Sequence, residues 1–541
     1  MAGPGSLYVT MQPQSGLRLE QFHEWYNNEH GPTRLKLPQI FINGLRYRAT
    51  DGQEPTFLAA YDVTSMSLLE TETYTRLRAE RSGREAETIG QVEVQRYFWD
   101  RVLSKQSPLF IPIEELTDEE AEGLTLVAVQ LTPKGPDSAV DEIQKWYDEE
   151  HMDMLSKVPG WLRSRLFKTS SLEKGEPTRF IALHDYTKTN GVGGAEYQAA
   201  ISTPRTKELW ARYATMSSRR VYSLFYIFGP ASRDLHNVSL LPAETSAFTS
   251  PDGKISTTNN PSPVIESSIT TPDGLSIPYR LEGNPDPKAP TVAFCNSLLT
   301  SMHMWDRFIE IFKAKRSEYR ILRYDVRGRH PIPHPPRPST LDILADDVDA
   351  LLVALRIPKL HTLVGVSMGG ATTLNFALRH PARLERFVAC DFNVTSSAAN
   401  TSAWKERVAT AETPLEDGSA GIGRLADETV ERWFHPATTT RKPDTVAWVR
   451  DMVAGNDVEG FRYGCQALWD YDLKARMRGC AVPGLFVVGE GDGKGALVKA
   501  MEGFKGLLGE DGAELAVVPE TGHLPMCEDP QGFWTAVEKV L

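Results

Sequence analysis

The octapeptide LVGVSMGG, Leu363 to Gly370, follows an apolar run that starts at His361 and leads into a helical pattern opening with the small residues Gly369, Gly370 and Ala371. This is the pattern of a strand that turns sharply into a helix and presents a serine at the turn. A turn so tight leaves no space for bulky neighbours, and Gly365 and Gly369 remove the side chains that would collide there. Ser367 is therefore read as a nucleophile, and the rest of the chain is read for the partners it needs.

The chain has 541 residues, too many for one ordinary core, so several domains are expected. Its apolar and charged fractions, 41% and 24%, are those of a soluble globular protein. A formal net charge of −12 with no Lys/Arg cluster argues against a nucleic-acid or anionic-membrane partner. The five cysteines are scattered without a C-x-x-C pair, which fits reduced thiols and a cytoplasmic location. The N-terminal residues have neither a basic segment nor an apolar segment of leader type, and no apolar run has membrane-spanning length, so neither a secretory leader nor a membrane span is expected.

The first 230 residues contain an internal repeat. Trp25-Tyr26-Asn-Asn-Glu29-His30 returns as Trp146-Tyr147-Asp-Glu-Glu150-His151, and Glu54-Pro55-Thr56 followed by a strand returns as Glu176-Pro177-Thr178. Each copy reads strand, helix, strand, strand, helix, strand, the ferredoxin-like order. A single unit of this kind leaves one sheet face uncovered, so the two copies, residues 1–115 and 116–230, are expected to pack face to face. The repeat resembles the EthD-like members of the dimeric α/β-barrel superfamily. That resemblance implies an internal pseudo-dimer forming an α/β barrel. The first copy departs from the signature, with Pro38-Gln39 in place of Pro-Gly. Glu29/His30 and Glu150/His151 are read as capping a helix C-terminus, where histidine favours the helix dipole and Gly31-Pro32 follows; an acid/base role in a barrel cavity is the alternative. No His-Glu-x-x-His metal motif is present, and neither a metal nor a cofactor is expected.

Residues 231–263 are rich in Ser, Thr, Pro and Asn with little hydrophobic periodicity and are read as a linker. From residue 264 to 541 strands and helices alternate, which indicates a mainly parallel sheet covered on both faces. The gap between the strands ending near Cys390 and starting near Leu485 is too long for a connection, and residues of about 394–478 are read as an inserted helical cap.

A serine nucleophile needs a histidine base, itself oriented by an acid. In α/β-hydrolases the order is Ser, Asp/Glu, His. Of the twelve histidines only His435 and His523 follow the serine beyond its own helix, and His523 alone lies directly after a strand. For the acid, Asp492 ends the strand Val487-Val488-Gly489, with Glu490 and Asp391 as rivals. The oxyanion donors are read as the backbone N–H groups of Met368 and Leu298. Cys295 continues an apolar strand and is read as packing, not as a second nucleophile.

Asn296-Ser-Leu298, Met304-Trp-Asp306, Arg323-Tyr-Asp-Val-Arg-Gly328, Gly365 to Gly370, Arg432-Trp-Phe434, Val458-Glu-Gly-Phe461 and Gly522-His523 occur in the order found in 3-oxoadipate enol-lactonases, which this part of the chain resembles. The resemblance implies an α/β-hydrolase fold, the triad Ser367, Asp492 and His523, and a small enol-lactone or ester as substrate. Two departures stand out. Arg327-Gly-Arg-His330 and a proline-rich stretch through Pro336 replace the usual Arg-Gly-His-Gly, and Gly493-Lys-Gly495 follows the acid. Trp404, Arg407, Arg432, Trp433 and Phe461 are the candidate pocket residues, with the two arginines offered to a substrate carboxylate. Two other functions compete: a non-hydrolytic step such as C–C cleavage, cyclisation or elimination on the same fold, in the metabolism of aromatic or polyketide compounds, and binding or catalysis by the N-terminal repeats. The expected partner is a small molecule, and a homodimer is compatible with the pattern.

Overall fold

The structure is a computed structural model that describes residues 3–330, 332, 337–414 and 421–541. Most of the proline-rich stretch after His330 and part of the expected cap therefore lie outside the described residues. The chain divides into two compact units, Met1–Pro230 and Ala231–Leu541. No helix among the described residues is long and apolar enough to cross a membrane.

The first unit is a closed barrel of eight antiparallel strands. The first copy supplies Gly5–Pro13, Leu45–Ala49, Phe57–Val63 and Val92–Gln106, and the second supplies Thr125–Pro133, Trp161–Thr169, Phe180–Tyr186 and Ala214–Ile227. Each set of four has the ferredoxin-like order. The copies join at their edges, Leu45–Ala49 to Ala214–Ile227 and Val92–Gln106 to Trp161–Thr169, so no strand edge stays open. As expected of an internal pseudo-dimer, the two sheets face one another across a shared interior. Edge pairing is added to this, because each four-stranded sheet has two unpaired edges whose backbone groups the other copy satisfies.

Alternate residues of each strand point inward. Tyr8, Tyr47, Leu58, Trp99, Phe167, Leu183 and Tyr222 fill the barrel interior. The other face of each half packs against that copy's helices and forms two separate cores.

One local expectation fails. The segments Tyr26–His30 and Tyr147–His151 do not end a helix but form a π-helical turn between two α-helical stretches, Gly31 N–H reaching Tyr26 C=O and Met152 N–H reaching Tyr147 C=O. The turn forms in both copies although only the first has a proline after it, Pro32 against Asp153. His30 and His151 thus sit within the helix and point into the core, where both are buried.

The second unit is a ten-stranded sheet. Six strands, Arg320–Tyr324, Thr291–Cys295, Leu360–Val366, Leu384–Cys390, Gly484–Gly489 and Glu514–Val518, lie side by side and parallel. Residues 231–263 are not a bare linker. They carry the helix Leu235–Ser239 and the strands Phe248–Thr249 and Ser256–Asn259, which extend the antiparallel edge of this sheet. Asn259 holds the turn there by donating to the Ser239 and Leu241 carbonyls. Their polar, period-free sequence conceals strands because an edge strand can take polar residues on its outer side.

Between Cys390 and Gly484 lie the helices Ala398–Glu412, Ile422–Trp433, Pro436–Arg441, Pro443–Ala454 and Val458–Cys465. The last docks through backbone contact. A Cβ at Gly328, whose φ is +87°, would lie 2.5 Å from the Gly460 carbonyl oxygen, and one at Gly460 would meet the Gly328 carbonyl. Beside this contact the buried Arg327 guanidinium ties three elements together, binding Asp347 at 2.6 Å, Asp273 at 2.8 Å and the Tyr463 hydroxyl at 2.9 Å. Because backbone cannot yield as a side chain can, Gly460→Ala is expected to destabilise the protein by about 1–3 kcal/mol, read as a lower urea midpoint; an unchanged midpoint would contradict this docking.

Candidate active site

Ser367 stands where the central strand Leu360–Val366 passes into the helix Met368–Arg379. Its backbone lies at φ 59° and ψ −119°, strained for an L-residue. The strain is held by packing on every side. A Cβ at Gly365 would strike the Gly369 carbonyl and the Thr373 hydroxyl, and one at Gly369 would lie 2.5 Å from the Cys295 carbonyl oxygen. Ser367 N–H donates to the Cys390 carbonyl of the next strand at 2.8 Å. Ser367 remains partly exposed while Val366 and Met368 are buried.

The Met368 N–H opens the helix, where no intrahelical acceptor exists. The loop carrying Leu298 follows the strand Thr291–Cys295, whose end abuts this same turn through Gly369. Asn296 fixes the loop: its side chain donates to the Tyr324 carbonyl at 2.8 Å and accepts from the Trp305 indole at 3.0 Å. Cys295 is buried, its sulfur 3.1 Å from the Tyr324 hydroxyl, and burial pushes its thiol up to about 11. At neutral pH it is a protonated packing group.

Asp492 begins a short turn after the strand Gly484–Gly489, in which Gly493, Lys494 and Gly495 all have positive φ. His523 lies in the loop between Glu514–Val518 and the helix Pro525–Glu528. The two side chains meet, His523 Nδ1 to Asp492 Oδ2, at 2.7 Å. Glu490, the nearer rival in sequence, accepts instead from the Glu520 backbone at 3.0 Å. His435 caps the helix Pro436–Arg441, accepting from Ala437 N–H at 3.1 Å.

The histidine loop is held by two groups. The Trp433 carbonyl accepts from His523 N–H at 2.7 Å, and its indole lies over the imidazole at a centroid distance of 5.3 Å. Glu528, 1% exposed, accepts from Gly522 N–H at 2.7 Å, from His435 N–H at 2.9 Å and from the Thr438 hydroxyl at 2.7 Å. One carboxylate therefore fastens the histidine loop to the cap. The residue-type reading missed Glu528; its only signal is an acid closing the first turn after Pro525.

Asp391 is the other residue whose part was not foreseen. It lies at the end of the strand Leu384–Cys390 with φ 46°, 1% exposed. Its Oδ1 accepts from Gly489 N–H at 2.9 Å. Oδ2 has no donor among the described residues. Ligand atoms of Asp391, Asp492 and His523 lie within 4.8 Å of one another, a spacing that a metal could use. The direct His523–Asp492 hydrogen bond already fills the space between that pair, so the cluster reads as a proton-sharing group. Burial, and then the Asp492 charge, push the Asp391 carboxyl well above the usual range, so it stays neutral and can donate its O–H towards Asp492.

Of the cap residues, Trp433 reaches His523, as described. Arg432 lies next to it on the same helix; burial and then repulsion from Arg407 bring it down to about 10. Arg407 stacks on the Trp404 ring at 4.4 Å, and burial lowers it too. Neither arginine has an ion-pair partner among the described residues. Phe461 is buried in the core beside the Gly460 contact.

A family model described as the alpha/beta hydrolase fold matches residues 290–530. The chain is 30% identical over 271 residues to 3-oxoadipate enol-lactonase 2 of Acinetobacter baylyi, covering 50% of this chain and 95% of that protein. It is 28% identical over 224 residues to 3-oxoadipate enol-lactonase 1 of the same organism, covering 41% and 79%. Among solved structures, an enol-lactonase from Burkholderia xenovorans LB400 aligns with 29% identity over 50% of this chain and 98% of that one, with a TM-score of 0.45.

The buried neutral Asp391 predicts a pH dependence. Well below the ordinary aspartate pKa of about 4 the folded and unfolded chains both hold this proton. As pH rises the unfolded chain releases it while the folded one does not, so wild type loses stability that Asp391→Asn keeps. Thermal unfolding is expected to place Asp391→Asn above wild type at about pH 8, the gap closing towards about pH 4.5; a variant that melts lower at both values would refute a neutral Asp391.

Proposed function

The chain belongs to the α/β-hydrolase family, and from that premise we propose that it hydrolyses a small lactone or ester carrying a carboxylate, through an acyl-enzyme on Ser367. The observation that carries this reading is the 2.7 Å contact between His523 Nδ1 and Asp492 Oδ2, in the order and on the loops that serve a serine at the central strand's end.

In this reading His523 takes the Ser367 proton as the hydroxyl attacks the carbonyl carbon, and Asp492 holds the imidazole tautomer and its developing charge. The negative oxygen of the tetrahedral intermediate is received by the Met368 and Leu298 N–H groups. His523 then returns the proton to the leaving oxygen. For a lactone that oxygen stays attached to the acyl group, so ring opening leaves one bound product chain. Water, deprotonated by the same histidine, attacks the acyl carbon and frees Ser367. Asp391 steadies Asp492 from the buried side, and Glu528 with Trp433 keeps His523 at its post.

Arg407, half-buried, and Arg432, exposed, have no acidic partner among the described residues, which supports an anionic substrate. Arg407 and Arg432 repel each other, and a substrate carboxylate between them would relieve that repulsion. The names of the Acinetobacter relatives point to the same class, since 3-oxoadipate is a carboxylic acid. Trp404 and Trp433 would give the pocket apolar walls.

On a panel of lactones and esters, Ser367→Ala is expected to lose activity by about three orders of magnitude or more, and Asp492→Asn by a comparable factor. Retained turnover in Ser367→Ala sinks the reading. Arg432→Leu is expected to raise KM about tenfold for carboxylate-bearing substrates and to leave neutral esters unaffected; equal effects on both would remove the arginine from substrate recognition.

A further inference from the structure

The two copies of the barrel repeat diverge at several buried charges, and one of these, Arg34, lines a cavity. In the first copy a small cavity lies between the sheet and the helix layer, lined by Tyr26, His30, Arg34, Tyr61, Tyr74 and Arg96 among apolar residues. Arg34 is 6% exposed and Arg96 half-buried. Arg34 donates to the His30 carbonyl at 2.7 Å, and among the described residues no carboxylate lies within ion-pairing distance of either arginine. Glu85, beside the cavity, is engaged at 2.7 Å by the His30 ring and at 3.9 Å by Arg81. The Tyr26 and Tyr61 hydroxyls face each other at 3.2 Å.

The second copy is built otherwise. Leu155 stands 121 positions after Arg34, as Trp146 stands after Trp25, and is 1% exposed. His151 there stacks on Trp146 at 4.0 Å and bonds to the Ala200 carbonyl. The fold therefore accepts leucine at this position, and the arginine in the first copy is not required by the helix. A buried cation without a counter-ion costs stability, and a chain that retains one where an apolar residue serves has a use for it.

We propose that the first repeat binds the carboxylate head of a small organic acid, with Arg34 at the floor of the cavity and Arg96 at its open side. The guanidinium fork matches two carboxylate oxygens, and the phenol hydroxyls supply further donors. The cavity volume, about 20 Å³, admits the oxygens of such a head but no ring, so the body of the acid lies outward past Arg96. Crowding of Arg96 by Arg78 and Arg34, which together with burial lowers it, makes the place attractive to an anion. This site lies in the first unit and is independent of the hydrolase reading.

The test uses the full-length chain with 4-fluorobenzoate as probe, followed by calorimetric melting and fluorine NMR line broadening. The barrel transition of wild type is expected to rise by about 2–4 °C with the probe at tenfold excess over its Kd. Arg34→Leu, which installs the residue of the second copy, is expected to melt no lower than wild type without probe and to gain nothing from it. The proposal is overturned if Arg34→Leu melts several degrees lower without probe, if the probe stabilises both proteins equally, or if chloride or inorganic phosphate at equal ionic strength does the same. Should that variant not fold, Arg34→Lys keeps the charge but loses the fork, and the fluorine signal should report binding at least fivefold weaker; unchanged binding overturns the proposal.

Discussion

The second unit depends on the backbone of Ser367 standing at φ 59°, a conformation costing roughly 1–3 kcal/mol that survives only because its surroundings leave no alternative. The strand and helix it joins approach so closely that Gly365 meets the Gly369 carbonyl, and Gly369 meets the end of the neighbouring strand at Cys295. Those contacts decide more than the serine. They set the loop with Leu298 against the start of the helix that carries Met368, so the same close approach that strains Ser367 also places the two amides proposed to receive the oxyanion.

Asp492 and His523, the proposed acid and base, are brought together by a different device. His523 and Asp492 come from loops far apart in sequence, and what draws them together is mostly backbone and buried carboxylates. Gly522 would clash with the Trp433 carbonyl if it had a side chain, and its N–H is taken by Glu528. Asp391 receives Gly489 N–H and closes the acid turn from beneath. Each of these buried groups is matched to specific N–H donors, which is what makes them acceptable inside and gives them positional authority. The cap is fastened likewise by Arg327 and by the Gly328–Gly460 contact, so it is built onto the hydrolase core at the motifs that flank the site.

The first unit shows one sequence pattern serving two ends. Both copies keep the tryptophan, tyrosine and histidine of the repeat, and both form the π-helical turn that pulls the histidine inward. Burial lowers His30 and His151 alike, to about 3, so both are neutral at physiological pH. They differ in company: His30 donates to an ionised Glu85 beside Arg34, while His151 lies on an indole in an apolar core. Closing the barrel requires the strands of both copies, whereas the polar cavity requires only one. Divergence in the helix layers is therefore open to the chain in a way that divergence in the strand edges is not.

Local pattern and chain order made much of this legible. The period-2 and period-3.6 runs, the glycines around Ser367 and the position of His523 after the last strand are short-range features, and short-range sterics determine them: the ferredoxin-like order and the alternating strands and helices follow, and Ser367 and His523 stand out as candidates. What the sequence did not reveal is whatever depends on distant partners. The edge pairing of the two repeats, Asp391 beneath Asp492 and the tether from Glu528 to the cap rest on groups scores of residues apart meeting in three dimensions, while the strands in residues 231–263 and the π-helical turns are local but take their form from what they pack against. Burial and hydrogen-bond partners set their state, and only the tertiary structure decides which groups are buried together.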